Sequence, residues 1–110
     1  MEQSDFLDQH VFSNLKSTTG GDENHPIYFF SEADFSVVLE RVEYFGISVY
    51  TIEPFFDGKS YGIQTNEDLK KKATDAKWYG KAFATFKHRQ EGMVYSATYK
   101  VPAKLLARYS

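Results

Sequence analysis

The chain has 110 residues, no cysteine, and 13 Lys+Arg against 15 Asp+Glu, a net charge of -2. That length suits one domain with one core. The absent thiols exclude disulfides, thiol catalysis, zinc fingers and iron–sulfur ligation, and the near-balanced charge offers no concentrated cationic face for nucleic acid. The start, Met1-Glu2-Gln3-Ser4-Asp5, is acidic and polar, unlike a secretory signal. No apolar run approaches the roughly 18 residues that cross a bilayer. A cytoplasmic protein without a membrane partner is the expectation.

In chain order, residues 1–26 form an extension. Phe6, Leu7, Val11, Phe12 and Leu15 fall near helical spacing, which predicts a short amphipathic helix over 5–16 with Ser4 as its cap. Residues 17–26, rich in Ser, Thr, Gly and Asn, read as a loop. The domain proper then spans 27–110. Ile27-Tyr28-Phe29-Phe30 is an apolar run of strand length. Ser31 is suited to accept a bond from a free amide of the next helix, and Glu32 and Asp34 favour its positive end. Phe35, Val38, Leu39, Val42 and Phe45 make one apolar helical face, and Gly46 ends the helix.

Ile47 to Glu53 is β-branched and partly alternating, hence a strand, which Pro54 is expected to stop. Phe55-Phe56 lead to the turn signal Asp57-Gly58, and residues 59–65 return as the partner strand of a hairpin with a wide aromatic loop. Asn66-Glu67-Asp68 begins a helical turn. Thr74-Asp75 caps a second main helix over 76–91, whose apolar face holds Tyr79, Ala82, Phe83 and Phe86 with Trp78 at its border. Gly80 weakens this helix or admits a close backbone. Gly92 stops it, residues 93–101 alternate as the last strand, and 103–109 form a short helix. The order strand, helix, strand, strand, helix, strand is the βαββαβ pattern. The expected fold is α+β and ferredoxin-like: a four-stranded antiparallel sheet, two main helices on one face, and a short N-terminal helix. The other sheet face is then free, to be covered by the N-terminal segment, the C-terminal helix or a partner.

The chain holds 10 Phe, 8 Tyr and one Trp. A small core does not hide so many rings, so some line a groove or an interface. The best candidate site runs from Tyr50 to Tyr61, with Glu53, Phe55, Phe56, Asp57 and Tyr61 around one loop. It reads either as an acidic, aromatic recognition edge or as a hairpin whose phenylalanines fold back onto the core. Glu53 and Asp57 would make an acid–base pair only if folding brings their carboxyls together.

His10, His25 and His88 have no second ligand at a recognised spacing, although Glu91 lies one helical step from His88, so neither metal nor cofactor is expected. Lys70-Lys71-Lys72, Lys77, Lys81, Lys87 and Arg89 with Trp78 and Tyr79 suggest a base-stacking patch. The last strand lacks the aromatic-basic motif of RNA-binding sheets, so the solvated helix face is preferred. The Gly20-Gly21 pair lacks the lysine of a phosphate loop, and no serine sits in a nucleophile motif.

Two functional readings follow. The first is a non-enzymatic module with a protein partner, using Glu53 and Asp57 with the nearby aromatics. The second is a small-ligand domain or enzyme, paired as a homodimer through its open sheet face, with a pocket lined by Tyr50, Tyr61, Tyr95 or Tyr99. The stretch from Phe35 to Val101 also resembles the bacterial immunity proteins of tRNA-cleaving colicins and related toxin-neutralising domains. The likeness lies in a helix ending at Gly46, the strand to Ile52-Glu53 with its turn-rich loop, the aromatic helix before Gly92 and the final strand. Phe55-Phe56 after Pro54 departs from the small, glycine-rich turn of that pattern, and the N-terminal extension and the Lys70-Lys71-Lys72 run also depart from it. The resemblance implies a binding protein that blocks a nuclease, with Glu53 and Asp57 as phosphate mimics.

Overall fold

The computed structural model describes residues 1–21 and 26–109. Part of the expected loop, 22–25 with His25, lies outside them. Helix α1 (Gln3–Phe6) runs directly into a π-helical turn (Leu7–Val11). The wider turn closes on Phe12 N–H, which donates to the Leu7 carbonyl at 2.7 Å. It swings Leu7 and Phe12, five positions apart, toward the same side. Phe6, Leu7, Val11 and Phe12 are all buried as a result. The helix is shorter than predicted, and Ser4 lies inside it; Glu2 stands at the cap and makes no side-chain cap bond.

Strand β1 (Ser17–Gly21) occupies ground expected to be loop, and pairs with β2 (Pro26–Ser31) from Ser17↔Phe30 to Gly21↔Pro26. Gly20, without a side chain, leaves room for the Phe29 ring to lie over it. A Cβ at Gly20 would meet Phe29 Cε2 at 2.8 Å, the close cover that an aromatic neighbour gives an edge glycine.

Helix α2 (Glu32–Phe45) begins as predicted: Asp34 N–H donates to Ser31 Oγ at 3.3 Å. It ends at Gly46 with φ 69°. Phe35, Val38, Leu39 and Val42 are its buried face. Strand β3 (Ser48–Phe56) runs straight through Pro54 rather than stopping there. The reason is the direction of the missing donor. Pro54 C=O accepts from Tyr61 N–H at 2.9 Å, on the hairpin side. The absent N–H faces that same side, so the ladder to the neighbouring inner strand loses nothing. Asp57 and Gly58, with φ 53° and 77°, make a tight two-residue turn in place of a wide loop. The return is broken into β4 (Lys59–Ser60) and β5 (Gln64–Thr65), with Gly62 between them at φ 143°.

Asn66 to Lys70 form turns, not a helix, closed by Lys71 N–H on the Asn66 carbonyl at 3.0 Å. Helix α3 (Ala76–Arg89) starts where Lys77 N–H donates to Asp75 Oδ1 at 2.9 Å. It ends at Arg89, short of the predicted Gly92. Strand β6 (Val94–Lys100) and helix α4 (Ala103–Arg108) follow.

All pairings are antiparallel, in the order β1-β2-β6-β3-β4, with β5 also on β3. The fold is therefore α+β with an antiparallel sheet, as the sequence implies. It is not the expected four-stranded ferredoxin-like sheet, because six strands take part. The threonines of Ser17-Thr18-Thr19 favour extended backbone and add an outer strand. β6 sits between β2 and β3, so α2 and α3 each connect two strands that flank a third.

Alternation sorts the side chains. Tyr95 faces the helices, stacked on Phe35 at 5.2 Å and edge-on to Phe83 at 4.9 Å. Phe30, opposite Tyr95, faces the same way and meets Phe12 at 4.9 Å. Phe6 packs on Phe45 at 5.1 Å and on Tyr109 at 5.3 Å. Arg41 Nη1 donates to the Val11 and Ser13 carbonyls at 2.9 and 2.8 Å. The extension drawn at 1–26 is thus docked as far as it is described. Its helical part, residues 3–11, and α4 join the helix layer instead of covering the free face, while residues 17–21 join the sheet.

Trp78 is fully inside this core, not at its border, and Tyr79 is buried beside it. Neither ring is available to stack on a base. Gly80 meets no backbone: nothing lies within 4 Å of a Cβ built there, and a space of about 190 Å³ opens between α2 and α3 beside it. Gly80→Ala is expected to raise stability by about 1 kcal/mol, the helix-propensity difference, seen as a higher urea midpoint at unchanged slope.

Candidate functional site

β2 and β6 are joined by a ladder only two pairs long, Phe30↔Tyr95 and Ser31↔Val94. Beyond it the two strands part. The gap on the β6 side is closed by Gln3, whose Nε2 donates to Tyr99 C=O at 3.1 Å and whose Oε1 accepts from Val101 N–H at 2.9 Å. One side-chain amide thus continues the ladder where β2 has left it. A cleft of about 460 Å³ remains. Its apolar wall is Leu7, Phe12, Ile27, Tyr28, Ala97 and Tyr99. Its polar wall is Gln3, Ser4, Thr51, Glu53, Ser96 and Thr98.

Of the polar wall, Thr51, Glu53, Ser96 and Thr98 belong to the sheet face that no helix covers among the described residues. There Thr51 Oγ1 and Thr98 Oγ1 are 2.9 Å apart, either one donating. Ser60 Oγ donates to Glu53 Oε2 at 2.7 Å, and Ser96 Oγ to the Glu53 carbonyl at 3.3 Å. Phe29 and Phe55 reach toward each other across β6 and meet edge to face at 5.2 Å. Ser96, small and lying under this approach, is only 6% exposed on an otherwise open face. Val94 and Ile27 flank the pair, 37% and 45% exposed.

Of the predicted residues, Glu53 and Phe55 are brought together here, two positions apart on one strand face. Phe56 and Asp57 lie beyond them at the exposed end of the hairpin, and Tyr61 is on the return. Tyr50 is the extra residue of a bulge between Val49 and Thr51. Tyr50 and Tyr61 are about equally exposed, but neither lines the cleft. Glu53 and Asp57 are separated by about 13 Å of extended chain at roughly 3.3 Å per residue. The Glu53 carboxylate takes its hydrogen bond from Ser60 Oγ on the hairpin return. Among the described residues no three His, Cys, Asp or Glu side chains gather to hold a metal.

Sequence reading missed Gln3, Phe29, Ser96 and Thr98. The alternation of Val94, Ser96 and Thr98 in the last strand carries a signal for two of them; nothing local points to Gln3. Tyr99, one of the four tyrosines expected to line a pocket, does line the cleft. Its hydroxyl is buried without a hydrogen-bond partner, and burial raises its pKa well above the ordinary tyrosine value. Tyr95, expected beside it, is in the core against Phe35.

No family model matches the chain, and no curated protein or solved structure matches it either. No helix among the described residues is long and apolar enough to cross a membrane.

Proposed function

We propose that the protein is a non-enzymatic binding module that takes a protein partner on its open sheet face. One observation carries this reading: the Phe29–Phe55 pair, with exposed Val94 and Ile27, stands beside the Glu53 carboxylate on a face without a helix. Rigid aromatics next to a charged group are the composition of a recognition surface, with the rings supplying contact area and the charge supplying selectivity. The toxin-neutralising reading is the finer form of the same proposal, and it places the module in the cytoplasm with a basic partner facing Glu53.

The test is affinity capture with the wild-type chain, Glu53→Lys and Phe55→Ala as parallel baits, each first shown to melt like the wild type. A stoichiometric partner held by the wild type and lost from both variants is the expected result. Equal retention on all three baits would remove the face from the function. A concentration-dependent dimer that Phe55→Ala dissociates would assign the same face to self-association.

A further inference from the structure

We infer that the cleft between β2 and β6 is a site for a small organic cation, a free amine carrying an aromatic or branched apolar body. The inference goes beyond the protein-binding reading, although Glu53 serves both. The cleft has about 460 Å³, within the range of small-molecule sites. Its two walls differ in kind. Leu7, Phe12 and Tyr28 supply apolar surface on one side. Glu53, Thr51 and Thr98 supply polar groups on the other.

Glu53 decides the sign of the ligand. Among the described residues it is the one charged side chain that lines the cleft, and its hydrogen bond from Ser60 Oγ is to one oxygen, Oε2. Among the described residues no lysine or arginine lines this cleft. A carboxylate at a cleft with no cation in its lining attracts a cationic group and repels an anion. The threonine pair adds to this: when one of Thr51 and Thr98 donates to the other, the acceptor keeps its own proton for a ligand. Gln3 does not compete for the ligand, because both ends of its amide are bound to the β6 backbone and its end.

The test is a titration of the full chain, followed by calorimetry and by amide shifts, with three probes of one shape: 2-phenylethylamine, 2-phenylethanol and 3-phenylpropanoate. The amine is expected to bind saturably, to move the Tyr28, Ser96 and Tyr99 resonances, and to bind better than the alcohol and the acid. Glu53→Gln is expected to weaken the amine by at least about tenfold and to leave the alcohol unchanged. Ser4→Trp places bulk at an exposed rim residue and is expected to weaken all three while sparing partner capture by the Phe29–Phe55 face. Equal binding of the three probes, an amine affinity unmoved by Glu53→Gln, or no saturable binding by any probe would overturn the inference. Because Ser4 stands on α1 and not on the strands that carry the Phe29–Phe55 pair, loss of amine binding with partner capture intact separates this site from the open face.

Discussion

Tyr95→Ala is expected to lower the unfolding free energy by about 3–5 kcal/mol, the range for deleting a buried large aromatic, whereas Tyr95→Phe is expected to leave it unchanged or raise it. The contrast follows from what each end of the side chain meets. The ring is fully buried at the centre of the sheet, stacked on Phe35 and edge-on to Phe83, and so joins both long helices to β6. Alanine would remove that contact and leave a cavity bounded by two helices that are held by their own strands. The hydroxyl, by contrast, is buried with no hydrogen-bond partner. Burial chiefly, with Glu32 adding a smaller effect, pushes its pKa up to about 12. A donor that has left water and found no acceptor destabilises the fold, so its removal carries no penalty. Urea unfolding of the two variants measures both. A loss of more than about 1 kcal/mol in Tyr95→Phe would show that the hydroxyl makes a net favourable hydrogen bond.

Removal of residues 1–15 is expected to abolish cooperative unfolding altogether. Phe6, Leu7, Val11 and Phe12 are buried, and at roughly 1.5–3 kcal/mol for each such side chain their loss rivals the total stability of an ordinary domain, about 5–15 kcal/mol. The cut also uncovers Phe30 and strips the Gln3 bonds from Tyr99 and Val101. Gln3→Ala isolates the second effect and is expected to cost about 1–3 kcal/mol, the penalty for leaving buried backbone groups unpaired. Circular dichroism and a urea titration of the truncated chain decide the matter: a wild-type midpoint would mean that the N-terminal helix is a passenger.

These expectations rest on parts of the fold that differ in how far the sequence reveals them. Helix α2 was readable end to end, because Ser31, the Phe35–Val38–Leu39–Val42 face and Gly46 act within one segment. The start of α3 at Asp75 was readable for the same reason. Glu53 and Phe55 share a strand face by simple alternation, so half of the candidate site was visible too. Their neighbours were not. Phe29 meets Phe55 only because β6 lies between β2 and β3, and strand order is a property of the whole chain. Pro54 misled because its rule concerns which side the missing N–H faces, and that side is known only once the sheet is assembled. Beyond Glu53 and Tyr99 the cleft was invisible for a stronger reason: the Gln3 amide and Tyr99 are 96 positions apart, and no periodicity spans that distance.

The position of β6 also bears on how the chain is made. A ribosome delivers β2 and β3 long before residues 94–100, yet β6 is the strand that each of them pairs with on its inner edge. Until it emerges, Phe30 and Ile52 wait on strands whose central partner does not yet exist, while the first residues wait for Tyr99 and Val101. At about 5–20 residues per second, that interval lasts several seconds. Helix α2 can form early, but the sheet is completed only once residues 94–100 have emerged. Pairing so dominated by distant contacts folds slowly, and a nascent chain holding unpaired aromatic strands is a substrate for chaperones.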